Sequence, residues 1–163
     1  MVVEGAGFLL NDEMDDFSVK AGVPNHFGAV GGVANEIQPN KRMLSSMTPT
    51  IVLKDNTLKM VTGSPGGTTI LSSVYLSILN AIEFALPIQQ VVDAPRFHHQ
   101  LLPKDEISYH EGLDEKVIRE LEAMGYATTA AEFGDLHVIV KRNGILEAAS
   151  ESNGRGQALV STH

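Results

Sequence analysis

Apolar and polar positions along this chain change period several times, and each change predicts an element. Residues 48–54 (TPTIVLK) and 57–62 (TLKMVT) are short runs rich in β-branched and apolar residues, with Asp55-Asn56 between them. That pattern predicts two strands joined by a two-residue hairpin turn. Residues 136–140 and 145–149 repeat it around Asn143-Gly144. A shorter apolar run, residues 7–10, predicts a strand ahead of an acidic cluster, and residues 106–110 predict another. Residues 18–40 are rich in Gly, Pro, Asn and Ala and read as a long surface loop, which is uncommon unless functional.

Helical periods occupy the middle. Over about residues 68–86, Ile70, Leu71, Val74, Tyr75, Ile78, Leu79 and Ile82 cover most of a helical circumference, predicting burial between layers. Pro87 predicts the start of a second helix through Val92, which Ala94-Pro95 ends. Residues 114–124 place Val117, Ile118, Leu121 and Met124 on one face, and Gly125 follows as a C-cap. The tail from Ser152 is polar and expected to fray. The order β, loop, ββ, α, α, β, α, ββ predicts an α+β fold in which antiparallel sheets are layered with helices.

Composition narrows the classes. A length of 163 residues fits about one domain, and 43% hydrophobic with 20% charged residues argues against disorder. The net charge is −8, and Lys/Arg cluster no further than the pairs Lys41-Arg42 and Lys141-Arg142. Nucleic acid and anionic membranes are therefore not expected as main partners. Without cysteine there is no thiol nucleophile, disulfide or Cys-held zinc. Residues 1–5 lack the basic and apolar regions of a signal peptide, and residues 70–86 are too interrupted for a membrane span.

Three clusters carry candidate chemistry. Gly63-Ser64-Pro65-Gly66-Gly67 joins a predicted strand to a predicted helix, where unpaired N–H groups suit an oxyanion or anion, or simply a tight turn. The needed Lys-Ser/Thr does not follow, so it is not a P-loop. Ser45-Ser46 offers two adjacent hydroxyls for a carboxylate, without the Gly-x-Ser-x-Gly setting of a nucleophile. Asp12, Glu13, Asp15 and Asp16 could hold an ammonium group or Ca²⁺, though not as an EF-hand, or form a solvated acidic turn. His98-His99 lacks a helical His-Glu-x-x-His partner and reads as structural; no metal or cofactor is expected.

Together, "GFLLNDEMDDFS", "PNKRMLSSMTPTIV", "VTGSPGGTTI" and "DAPRFHHQ" stand in the order and spacing found in γ-glutamyltranspeptidases, and the chain resembles the C-terminal, small-subunit part of that family over residues 7–150, with residues 151–163 a polar tail. The resemblance implies part of an N-terminal nucleophile hydrolase, an αββα sandwich. It implies cleavage of the γ-glutamyl amide of glutathione and related compounds, with transfer to water or an amine. It implies that Glu13 and Asp16 hold the substrate's α-amino group, that Ser45 and Ser46 hold its α-carboxylate, and that Gly66 and Gly67 form the oxyanion hole. A periplasmic or extracellular setting follows from the resemblance alone.

One departure matters. The family's nucleophile and general base is a Thr several dozen residues before the acidic motif, freed by self-cleavage; here no Thr precedes Thr48. The resemblance therefore implies a piece truncated at its N-terminus, inactive alone, completed by a large-subunit segment of the same precursor and prone to self-association through uncovered apolar surface. Two alternatives remain: a non-catalytic γ-glutamyl-binding module, or a related amidase acting on cephalosporin side chains or poly-γ-glutamate.

Overall fold

The computed structural model describes residues 3–161. They divide into two compact units that meet in sequence between Ser46 and Met47.

The first unit is mostly irregular. Residues 7–10 form no strand; Leu9 holds a single isolated bridge. A 3₁₀ turn spans Glu13–Asp16, and a second spans Val33–Asn35. The expected loop at 18–40 is tied across itself by bridges pairing Ser18 with Glu36 and Pro24 with Val30. The Lys41 ammonium donates to the carbonyls of Ala34 and Glu36, satisfying backbone that no strand satisfies.

The second unit holds two sheets. Strands β1 (Thr50–Lys54), β2 (Thr57–Gly63), β6 (His137–Arg142) and β7 (Ile145–Ser150) pair antiparallel in the order β1-β2-β6-β7. Both hairpin turns form as the sequence predicts. Asp55 and Asn56 take φ of 51° and 55°, Asn143 and Gly144 take 51° and 82°, and these left-handed pairs match the twist of the flanking strands. Strands β3 (Phe97–His99), β4 (Glu106–Tyr109) and β5 (Ala127–Ala130) form the second sheet, with β4 and β5 parallel.

Helix α1 (Thr69–Ile78) runs on into a π-helical turn over Leu79–Glu83; α2 is Ile88–Asp93 and α3 is Glu115–Ala123. The core gathers Met60, Val138, Val140 and Ala149 from one sheet face with Ala81, Val91, Val92 and Leu136. The opposite face is also apolar but open, with Ile51 66% exposed and Ile139 and Leu146 exposed beside it. Strands this apolar on both faces are those of a sheet meant to be covered twice.

Two expectations change. Helix α1 is not buried all round: Ile70, Ser73, Val74 and Ser77 are buried while Leu71 and Tyr75 are exposed. The serines let the helix approach β2, where Ser77 Oγ lies 3.0 Å from Thr62 Oγ1. The tail is not frayed at its start, because the N–H and hydroxyl of Ser152 donate to Asp93 at 2.8 and 2.7 Å and the Arg155 N–H donates to Asp135. No helix among the described residues is long and apolar enough to cross a membrane.

Candidate active site

In the first unit, the Asn11 side chain accepts from the Glu13 N–H at 3.2 Å and starts the 3₁₀ turn. Buried Phe17 ends it, with the Lys41 ammonium 5.9 Å above its ring. Residues three apart on such a turn eclipse one another, so Glu13 and Asp16 project together. Ser45 Oγ donates to Glu13 Oε1 at 3.1 Å. The Ser46 N–H and Oγ donate to Asp16 Oδ2 and Oδ1 at 3.2 and 2.8 Å. The four residues singled out in the sequence therefore meet, although some thirty positions separate the two pairs. Glu13 Oε2 is buried with no hydrogen-bond partner among the described residues. An acceptor in that state suits a donor such as an ammonium group, and the serine hydroxyls need only rotate to donate to an anion instead.

Gly66 and Gly67 lie in the second unit, between the end of β2 and the first turn of α1. Their φ values are 138° and 57°, where L side chains are strained. Thr69 caps the turn: its N–H and hydroxyl donate to the Gly66 carbonyl at 3.1 and 2.8 Å, and the Ile70 N–H donates to the Gly67 carbonyl. Neither glycine N–H donates to an acceptor among the described residues. Two adjacent unpaired N–H groups at a helix start are what a developing oxyanion requires.

Sequence reasoning left the support of this loop unassigned. Arg96 is 1% exposed. Its Nη2 donates to both carboxylate oxygens of Glu151 at 2.8 and 3.0 Å and to the Phe133 carbonyl at 3.0 Å, and its Nη1 donates to the Val92 carbonyl. Glu151 Oε2 also accepts from the Leu136 N–H at 2.8 Å. Both ends of the segment 133–136 are thus held by one ion pair. Within it the Asp135 N–H donates to Ser64 Oγ at 3.0 Å. Gly134, with φ of 82°, is packed so tightly that a Cβ there would lie 3.0 Å from the hydroxyls of Ser64 and Ser73. Arg96 lies in the quoted "DAPRFHHQ" stretch, but a single sequence holds no signal that pairs it with Glu151.

Both ring nitrogens of His98 are engaged, with Nδ1 2.8 Å from Ser72 Oγ and Nε2 2.9 Å from Gln100 Oε1. The described residues hold no group of three metal-ligating side chains.

The His110 ring centre lies 4.3 Å from that of Phe133 with the planes tilted by 58°, and its Nε2 lies 2.9 Å from the Phe133 carbonyl. Burial, and then the Arg96 charge, lower its pKa from the ordinary value of 6.5. A folded-state pKa below the unfolded one contributes stability that is full above 6.5 and is lost as pH falls through the folded value. Urea midpoints should therefore fall on acidification from pH 7.5 to 5, and His110→Phe should flatten that slope. An unchanged slope in the variant would show that other groups set the acid response.

Comparison with known proteins identifies the family. The sequence profile of γ-glutamyltranspeptidase matches residues 1–161. The chain belongs to the γ-glutamyltranspeptidase family. It is 51% identical to the glutathione hydrolase proenzyme of Pseudomonas aeruginosa over 98% of its length, and 48% identical to that of Escherichia coli over 81%. It spans 29% and 23% of those relatives, so most of each proenzyme has no counterpart in this chain. Among solved structures it resembles γ-glutamyltranspeptidase from Pseudomonas nitroreducens complexed with L-DON, with 50% identity and a TM-score of 0.89, covering 99% of this chain and 86% of that one. The family is one of enzymes, and the α+β fold is that of their N-terminal nucleophile hydrolase architecture.

Proposed function

We propose that this chain supplies the head-group site and the oxyanion loop of a γ-glutamyltransferase that cleaves the γ-glutamyl amide of glutathione and passes the acyl group to water or an amine. The observation that carries this reading is the meeting of Glu13 and Asp16 with Ser45 and Ser46. A γ-glutamyl group ends in an α-ammonium and an α-carboxylate. Two carboxylates beside two hydroxyls answer both charges at once. Gly66 and Gly67 then receive the negative charge that grows on the γ-carbonyl oxygen when a nucleophile attacks. That nucleophile is not among these residues before Thr48. The chain alone is accordingly proposed to be without turnover, and the greater length of the proenzyme relatives supports completion by a large-subunit segment. The open apolar sheet face supports association, with that segment or with a second copy.

The test is kinetic, on the chain assembled with the remainder of its precursor and a chromogenic γ-glutamyl anilide. Asp16→Asn removes one charge-assisted contact of about 1.5–3 kcal/mol. KM should rise about 10–100-fold on that footing, with a smaller change in kcat. A KM within twofold of the wild type would remove the head-group assignment. Faster cleavage of a cephalosporin side chain or of poly-γ-glutamate than of glutathione would redirect the substrate class.

A further inference from the structure

We propose that Ser64 and Thr69 are positioning residues, one for each oxyanion donor; this rests on the oxyanion reading of Gly66 and Gly67. A peptide unit is planar, and in the trans form its C=O and N–H point in opposite directions. Fixing the carbonyl of one residue therefore aims the N–H of the next. Ser64 Oγ donates to the Pro65 carbonyl at 2.8 Å, and the Pro65–Gly66 peptide is trans. The Gly66 N–H is thereby aimed away from Ser64. Thr69 Oγ1 donates to the Gly66 carbonyl at 2.8 Å, reinforced by the Thr69 N–H at 3.1 Å. The Gly66–Gly67 peptide is also trans, so this fixes the Gly67 N–H. Glycine at both positions gives a backbone with the most freedom to swing, and these two hydroxyls remove that freedom where it counts.

Ser64 is itself held. A hydroxyl has one proton, so while it donates to Pro65 it accepts from the Asp135 N–H at 3.0 Å. Asp135 belongs to the segment 133–136, whose ends the Arg96–Glu151 pair secures. Gly134 also backs the loop directly: a Cβ built on Gly66 would lie 3.5 Å from the Gly134 nitrogen. The orientation of the Gly66 donor is thus referred through Ser64 to a buried ion pair rather than left to the exposed loop. Thr69 stands at the helix start and has no part in the Ser64–Asp135 link, so each hydroxyl fixes a different one of the two peptides flanking Gly66.

The experiment uses the assembled protein with a γ-glutamyl anilide and compares Ser64→Ala and Thr69→Val with the rescuing variants Ser64→Thr and Thr69→Ser. Misaiming a donor costs less than deleting one, which is worth about 10²–10³ in kcat. Each hydroxyl deletion should therefore lower kcat by about tenfold with KM within twofold, and the double variant should lose more than either alone. Each rescuing variant should recover most of the loss. A γ-glutamyl-like boronate, whose tetrahedral adduct carries the oxyanion, should weaken in step with kcat, while a ground-state competitor should not. Unchanged kcat in both deletion variants would overturn the inference, as would loss that only follows unfolding and is not rescued. Wild-type protein without amide turnover would overturn the functional reading and this inference with it, whereas wild-type turnover with indifferent variants would overturn this inference alone.

Discussion

Arg96→Ala is expected to cost about 3–5 kcal/mol of stability if the pair behaves as a buried one, and toward the lower end because Glu151 keeps 16% side-chain exposure. The variant strands a carboxylate that has lost its cation. It also strands the Val92 and Phe133 carbonyls, which accept from the same guanidinium. Each abandoned acceptor adds a desolvation cost of about 1–3 kcal/mol where water does not reach it. Arg96→Lys should recover little, since an ammonium cannot span the carboxylate and two carbonyls with a planar fork. The double variant Arg96→Met/Glu151→Gln should be more stable than Arg96→Ala, because the uncompensated charge is gone. Urea unfolding of the four proteins measures this directly. A loss below 1 kcal/mol for Arg96→Ala would mean that water or a neighbouring cation replaces the guanidinium, and that the segment 133–136 is held by something else.

How much of this was legible in the sequence follows from the range of the forces involved. The two hairpins were legible because Asp55-Asn56 and Asn143-Gly144 decide their turns within two residues. Helix α3 was legible from its period and from Gly125 after it; the structure adds the cap at its start, where the Asp114 side chain accepts from the Lys116 N–H at 2.8 Å. The short strands β3 and β5 were not: Phe97–His99 is three residues long, and Ala127–Ala130 carries no large apolar side chain. They form because β4 pairs with both, a choice made by tertiary contact rather than by either segment. The helical period of α1 was legible, but not which side would be buried. Hydropathy ranks Leu71 and Tyr75 above Ser73 and Ser77, whereas close approach to β2 selects the small residues. The proposed head-group residues were legible as motifs through the family resemblance, and the fold closes the 30- and 32-residue separations between Glu13, Asp16 and the two serines. The 71-residue link from Ser64 to Asp135 has no counterpart in any local pattern.

Gly66→Ala in the assembled protein is expected to lower kcat by about 10²–10³ while leaving KM nearly unchanged, the size of a lost oxyanion donor. Two effects act in the same direction. At φ of 138° an L residue is strained, so the peptide flanking it rotates toward an allowed region. A Cβ at Gly66 also collides with Thr69 Oγ1, and this pushes the hydroxyl off the Gly66 carbonyl and loosens the Gly67 N–H as well. Gly134 behind the loop leaves the new methyl group little room to retreat. The proposed head-group residues Glu13, Asp16, Ser45 and Ser46 make none of the contacts that this substitution disturbs, so the damage should fall on kcat. Gly67→Pro deletes an N–H but cannot take the φ of 57° found there, so it should be at least as severe through donor and loop together. Kinetics with a γ-glutamyl anilide, beside an unfolding curve to show the fold is retained, measure both. A Gly66→Ala enzyme within threefold of wild-type kcat would mean that the oxyanion is received elsewhere, and that the two unpaired N–H groups at the start of α1 serve the turn and not the chemistry.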